Sequence, residues 1–244
     1  MIGVDFLSHQ YGAQSAQAIN HLKKIDRDMG QLLGLIRGGE KTRRVTSLLT
    51  SDHGFAPYAQ QKIKMESVTN KISDSHRLLN EARMASVYFT IAPEENTLVK
   101  TTRKLFTEKN IEIISYKLGQ RVRIIARDKE LYFDEISTAV CNEGSVGILI
   151  NNKTMACSDQ LPVDYKNMFY PFFIENVASF FKTKTSPDLI MVPNRYSYFE
   201  SIGVGFHGGP TEDETIVPLL IRNAKAASPE QIPANWKLLK FINE

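Results

Sequence analysis

The sequence predicts an α/β protein in which a mostly parallel sheet is flanked by helices, with a small antiparallel insertion. Three observations carry that expectation. An apolar run at residues 2–5, a long amphipathic stretch and a second apolar run at 45–50 form a strand–helix–strand unit, the pattern of a parallel sheet covered by helices. Apolar, β-branched runs at 86–91, 188–192 and 216–221 supply further core strands. The Asp and His residues gather where strands are expected to end, which is where open α/β sheets build their sites.

At 244 residues the chain can bury a sizeable core as one large domain, residues 1–244, with a probable inserted β-rich subdomain at 111–160. Hydrophobic content of 42% and charged content of 23% are those of an ordinary globular protein. The net charge is only +3 and the basic residues are scattered, so nucleic acid is not implied as a partner. No stretch approaches the ~20 apolar residues that a membrane helix needs. No signal peptide is visible. The compartment is expected to be cytoplasmic if Met1 is the true start, and secreted or periplasmic if a segment precedes it. Cys141 and Cys157 are expected to be reduced, structural thiols, too few and too far apart for a zinc knuckle or a disulfide framework.

In chain order, residues 2–5 read as a short strand ending at Asp5. Ala18, Leu22, Ile25, Met29, Leu32, Leu33 and Ile36 then recur at helical spacing and predict a helix over 15–37, stopped by Gly38-Gly39. A strand at 45–50 follows. The mixed stretch 58–83 predicts a strand or loop and then a helix from about Ser73, which places His76, like His21, on a helix surface. A strand at 86–91 ends before Pro93, and acidic residues open an amphipathic helix at 94–109. Short strands at 111–116, 121–127 and 131–136, with turns at Leu118-Gly119 and Asp128-Lys129, predict an antiparallel meander. An aromatic-rich helix at 165–181, a core strand at 188–192, a loop carrying Tyr196, Tyr198 and Phe199, and a last strand at 216–221 complete the reading.

Chemistry concentrates at three places: Asp5-Phe6-Leu7-Ser8-His9, Thr50-Ser51-Asp52-His53-Gly54 and Gly205-Phe206-His207-Gly208-Gly209. At a strand end, neighbouring side chains no longer alternate between faces, so an adjacent carboxylate and imidazole can converge on one cation. Asp and His are ligands that zinc, manganese or iron accept. Each motif alone also fits a capping carboxylate, a hydrogen-bonded imidazole or a tight turn. Their joint occurrence in this order points to a metal site.

These residues resemble the alkaline phosphatase superfamily, and within it type I phosphodiesterases and nucleotide pyrophosphatases. Glu214-Thr215-Ile216-Val217-Pro218-Leu219 shares the look of that family, and the likeness spans residues 2 to about 221. The resemblance implies an alkaline phosphatase-like fold and metal-dependent hydrolysis of phosphate mono- or diesters, with a small phosphate ester or a nucleotide as partner. It implies two divalent ions, zinc or alternatively manganese. Asp5, His9 and His207 would hold one ion, Asp52 and His53 the other. It also implies a further Asp and a Ser or Thr nucleophile ahead of Asp5, where this chain has four residues and none that matches. Two expectations follow: the C-terminal portion of such a hydrolase, or an inactive metal-stabilised remnant that binds a phosphorylated ligand or a partner chain. Tyr196 and Tyr198 are candidates for stacking on a substrate base or sugar, or for packing.

Overall fold

Residues Leu189–Pro193 are apolar without a break and buried throughout, as a strand covered on both faces must be. The computed structural model describes residues 2–39, 47–119, 121–126, 129–133, 141, 146–150, 154–160, 170 and 173–222. The chain divides into two units, Met1–Asn20 with His53–Ile216 and His21–Asp52 with Val217–Glu244. Helix α2 (Ala16–Gly39) begins in the first unit and continues in the second.

The first unit holds helix α1 (Ile2–Tyr11), strand β2 (Gln61–Ile63), α3 (Met65–Thr69), β3 (His76–Asn80), β4 (Ala85–Phe89) and α4 (Glu95–Leu105). Strands β5 (Ile111–Leu118), β6 (Arg121–Ala126), β7 (Lys129–Phe133), β8 (Gly147–Ile150) and β9 (Thr154–Cys157) follow. Helix α5 (Phe173–Phe181), β10 (Leu189–Pro193), β11 (Ser197–Phe199) and the short α6 (Glu212–Thr215) complete it. An eight-stranded sheet runs in the order β3-β4-β10-β5-β6-β7-β8-β9. The second unit pairs β1 (Ser47–Thr50) with β12 (Leu219–Arg222) as an antiparallel ladder.

Period-two alternation in β10 sends Ile190 and Val192 to one face and Leu189 and Met191 to the other. The first face packs on α5 through Phe173, Ile174, Val177, Ala178 and Phe181, and the second on α4 through Leu98 and Leu105. Both helices bury residues at helical spacing; α4 buries Leu98, Thr101, Thr102 and Leu105. A register shift between Val192 and Pro193 pairs them with Ile113 and Ile111, skipping Glu112. That bulge reverses the alternation, which is why Ile111 and Ile113, two residues apart, lie in different cores.

Several expectations change. Residues 2–5 are the first turn of a helix, not a strand: a four-residue apolar run fits either period, and Phe6–Tyr11 continues it helically. The mostly parallel sheet is not found among the described strands. Every pairing in the eight-stranded sheet is antiparallel, and the parallel pairing described is β11 with β2. The described part of the expected strand, Ser47–Thr50, belongs instead to the two-stranded ladder with β12. The stretch expected to become a helix from Ser73 is strand β3, because Arg77, Leu78 and Leu79 pair with Tyr88, Val87 and Ser86. His76 therefore stands on a strand. The last strand begins at Leu219 rather than Ile216.

The expected helices form with other ends, the first running through Gly38-Gly39 and the second ending at Leu105. The meander forms with Gly119 turning β5 into β6 at φ +59° and Lys129 already in β7. The meander extends the main sheet directly, since β5 pairs with β10. Residues 45, 46, 127, 128, 134–136, 165–169, 171 and 172 of the expected elements lie outside the described residues.

The cysteines are corrected as well: Cys141 and Cys157 form a disulfide across 16 residues. Sequence separation alone hid this, because the β8–β9 hairpin folds Cys157 back opposite Gly147. Labelling the unreduced, denatured chain with a thiol reagent should therefore find no free thiol. Closing a loop of this length contributes about 3 kcal/mol by chain entropy. Reduction should lower the urea-unfolding free energy by about that amount, and an unchanged midpoint would contradict the cross-link.

Candidate metal centre

A helix places residues four apart on one side, and α1 does this for Asp5 and His9. Asp5 Oδ1 lies 3.6 Å from His9 Nε2. Two loops bring the other rings: His207 Nε2 is 3.4 Å and His53 Nε2 4.0 Å from the same oxygen. The Nε2 atoms of His9 and His207 are 3.0 Å apart. His53 and His207 stack with centroids 3.7 Å apart and planes 15° apart. Phe55 stands edge-on to all three rings, at 5.3 Å from His9, 5.9 Å from His53 and 5.1 Å from His207.

Backbone carbonyls decide which nitrogen of two rings faces inward. His9 Nδ1 donates to the Gly205 carbonyl at 2.8 Å, and His53 Nδ1 to the Gly54 carbonyl at 3.0 Å. A carbonyl only accepts, so Nδ1 carries a proton, and a metal-binding form of either ring would use the Nε2 that faces Asp5. The Asp5 side chain is 45% exposed as a whole, yet its Oδ1 is buried and has no hydrogen-bond partner among the described residues. A buried orphan acceptor costs about 1–3 kcal/mol. Acceptors facing one point are what a cation satisfies, and the donor atoms of Asp5, His9 and His207 all lie within 4.8 Å of one another. The donor set fits a divalent ion.

Burial holds His207 below the ordinary histidine range, and the neighbouring His53 and His9 lower it further, against the opposing pull of Asp5 and Glu214. A depressed value keeps the ring neutral and ready to bind metal near pH 7.

Close packing holds the loops. A Cβ on Gly205 would overlap the Ser8 carbonyl, and one on Gly54 the Asp213 carbonyl. Gly54 donates to the Glu214 carbonyl at 2.9 Å, and Ala56 to the Phe206 carbonyl at 2.8 Å. The Glu214 carboxylate, fully buried, accepts from Gly209 N–H at 2.8 Å, Thr211 Oγ1 at 2.6 Å and Arg83 Nη2 at 3.0 Å. Arg83, also buried, donates in addition to the carbonyls of Asn194 and Ser197. One residue thus ties the His207 loop through its side chain and the His53 loop through its backbone.

Of the residues read from sequence, Asp5, His9, His53 and His207 come together. Asp52 belongs to the second unit, where it is exposed and its carboxylate stands 3.5 Å from the Ser51 hydroxyl. Tyr198 is half-buried and stacks on Phe206 at 4.2 Å. Tyr196 is 53% exposed beside Arg195, whose guanidinium also lies over Tyr58. The sequence reading missed Arg83 and Phe55. It met Glu214 only as part of a familiar segment. Thr211-x2-Glu214 has the spacing of a helix capping box, a signal that could have marked Glu214 as anchored.

A family model described as type I phosphodiesterase / nucleotide pyrophosphatase matches residues 1–201. The match includes Asp5, His9, Asp52 and His53, while His207 and Glu214 lie beyond it. No curated protein matches the chain.

Two outcomes are expected. Glu214→Leu alone strands a buried guanidinium and should destabilise by about 3–5 kcal/mol in urea unfolding, whereas Arg83→Met with Glu214→Leu should recover most of that stability. Equal losses in the single and double variants would refute the pairing. Because the folded state holds His207 low, the unfolded chain binds more protons between that value and the ordinary one near 6.5. Chelator-treated protein should therefore be most stable above about pH 6.5 and lose stability as pH falls through the folded value. His207→Gln should flatten that part of the melting-temperature profile; an identical profile would contradict it.

Proposed function

We propose, from the premise that this chain belongs to the type I phosphodiesterase / nucleotide pyrophosphatase family of the alkaline phosphatase superfamily, that it hydrolyses phosphate esters at a metal centre built on Asp5, His9 and His207. The family is one of hydrolases acting on phosphate-ester or nucleotide substrates, and it implies an alkaline phosphatase-like α/β fold. The observation that carries the metal reading is the buried, unpartnered Asp5 Oδ1, faced by imidazole nitrogens.

Asp5, His9 and His207 would hold one divalent ion, with zinc suited to the Asp/His set and manganese also accepted. His53 is our candidate for holding a second. The 4.0 Å approach of His53 to Asp5 Oδ1 supports an adjacent position for it. Such ions supply charge stabilisation to phosphoryl oxygens and activate the attacking oxygen. The chain's own residues do the rest. The Gly205 and Gly54 carbonyls fix the His9 and His53 tautomers, so each ring offers a lone pair without rearrangement. The edge-on Phe55 shields the imidazole cluster on one side. No residue of this chain is assigned the role of nucleophile.

Among the described residues no helix is long and apolar enough to cross a membrane. The Cys141–Cys157 disulfide supports an oxidising compartment, and thiol labelling of the chain from its own cells tests that placement.

Elemental analysis of protein washed with chelator and reloaded with zinc is the direct test of the centre. At least one ion per chain is expected. His207→Ala should weaken binding at least tenfold with an unchanged circular dichroism spectrum; metal content unaffected by the substitution would overturn the assignment. Zinc bound stoichiometrically without turnover of aryl phosphate mono- or diesters would favour a metal-stabilised binding protein over a hydrolase.

A further inference from the structure

Beside the imidazole cluster lies a separate cavity of about 320 Å³. Tyr11, Gln14 and Ser15 line one side, where α1 ends and α2 begins; Phe55, Pro57 and Gly205 line another. Two of these wall residues also belong to the metal centre's surroundings. Phe55 packs edge-on against His9 and His207, and the Gly205 carbonyl fixes His9 Nδ1. A phosphoryl group held at Asp5, His9 and His207 would therefore have this cavity next to it for its ester substituent.

The lining chemistry selects that substituent. Among the described residues that line the cavity there is no Lys, Arg, His, Asp or Glu. Its polar groups are a phenol, a carboxamide, a hydroxyl and backbone, interleaved with the apolar faces of Phe55, Pro57 and Val204. A second phosphate would need cationic or charge-assisted partners to replace its water. A carbon skeleton with hydroxyl groups finds hydrogen-bond partners and apolar faces together. The volume falls at the lower end of small-ligand sites, of about 300–1,000 Å³.

We propose that this cavity binds the uncharged, hydroxyl-bearing alcohol part of a phosphate ester, of about the size of one sugar. The site then favours esters of neutral polyols or sugars over pyrophosphate linkages. The proposal rests on the phosphate-ester reading of the metal centre and adds the substrate class to it.

Calorimetry on the zinc-loaded chain tests it, with inorganic phosphate and glucose 1-phosphate as probes. Glucose 1-phosphate should bind at least tenfold more tightly than phosphate. Gln14→Trp, at an exposed position, should fill the cavity and abolish that advantage while leaving zinc content and phosphate affinity unchanged. Gln14→Lys should reverse the preference, favouring glucose 1,6-bisphosphate over glucose 1-phosphate. Equal affinity for the two probes in the unaltered chain, or an advantage that survives Gln14→Trp, would overturn the cavity assignment and leave the metal centre standing. Failure of the zinc-loaded chain to bind phosphate at all would remove the phosphate-ester reading, and this inference with it.

Discussion

The buried ion pair between Arg83 and Glu214 is the constraint on which the arrangement of the centre depends. Neither side chain reaches water. Ion pairs so placed are costly to desolvate, and they persist only where further hydrogen bonds satisfy the remaining atoms. Here those bonds go to the segments that frame the candidate centre. Arg83 takes the carbonyls of Asn194 and Ser197, leading into β11; Glu214 takes the Gly209 N–H and the Thr211 hydroxyl. The backbone of Glu214 adds Gly54. Loops distant in sequence are thereby fixed by one charge pair.

The centre illustrates how a fold can concentrate like chemistry. Three imidazoles and a carboxylate oxygen converge, and backbone carbonyls occupy the Nδ1 atoms of His9 and His53. The result is a set of potential metal-binding atoms facing one point, with no hydrogen-bond donor to Asp5 Oδ1 among the described residues. Burial, and then the neighbouring His53 and His9, lower the basicity of His207, and this favours a metal cation over a proton on that ring. Structural economy is visible in Phe55 and Gly205, which support the histidines and wall the neighbouring cavity.

The sequence by itself determined the candidate ligand residues and the elements with long, unambiguous periodicity. Asp5 and His9 at a four-residue spacing, Asp52-His53-Gly54 and His207 between glycines were legible because chemistry-bearing residues stand out from any local context. Helices α2 and α4, the β5–β7 meander and β10 were legible because their apolar spacing admits one reading. Tertiary structure decided the rest. The run at 2–5 and the stretch 73–80 are too short for period alone to separate helix from strand, and the pairing of β3 with β4 settles the second. Strand direction is not written in a strand's own residues, so the antiparallel sheet, the Cys141–Cys157 bond and the Arg83–Glu214 pair emerge only once separate segments meet. Ligand identity is a local property of the chain. The convergence of the candidate ligands joins residues as far apart as His9 and His207, 198 positions in sequence, which no local pattern encodes.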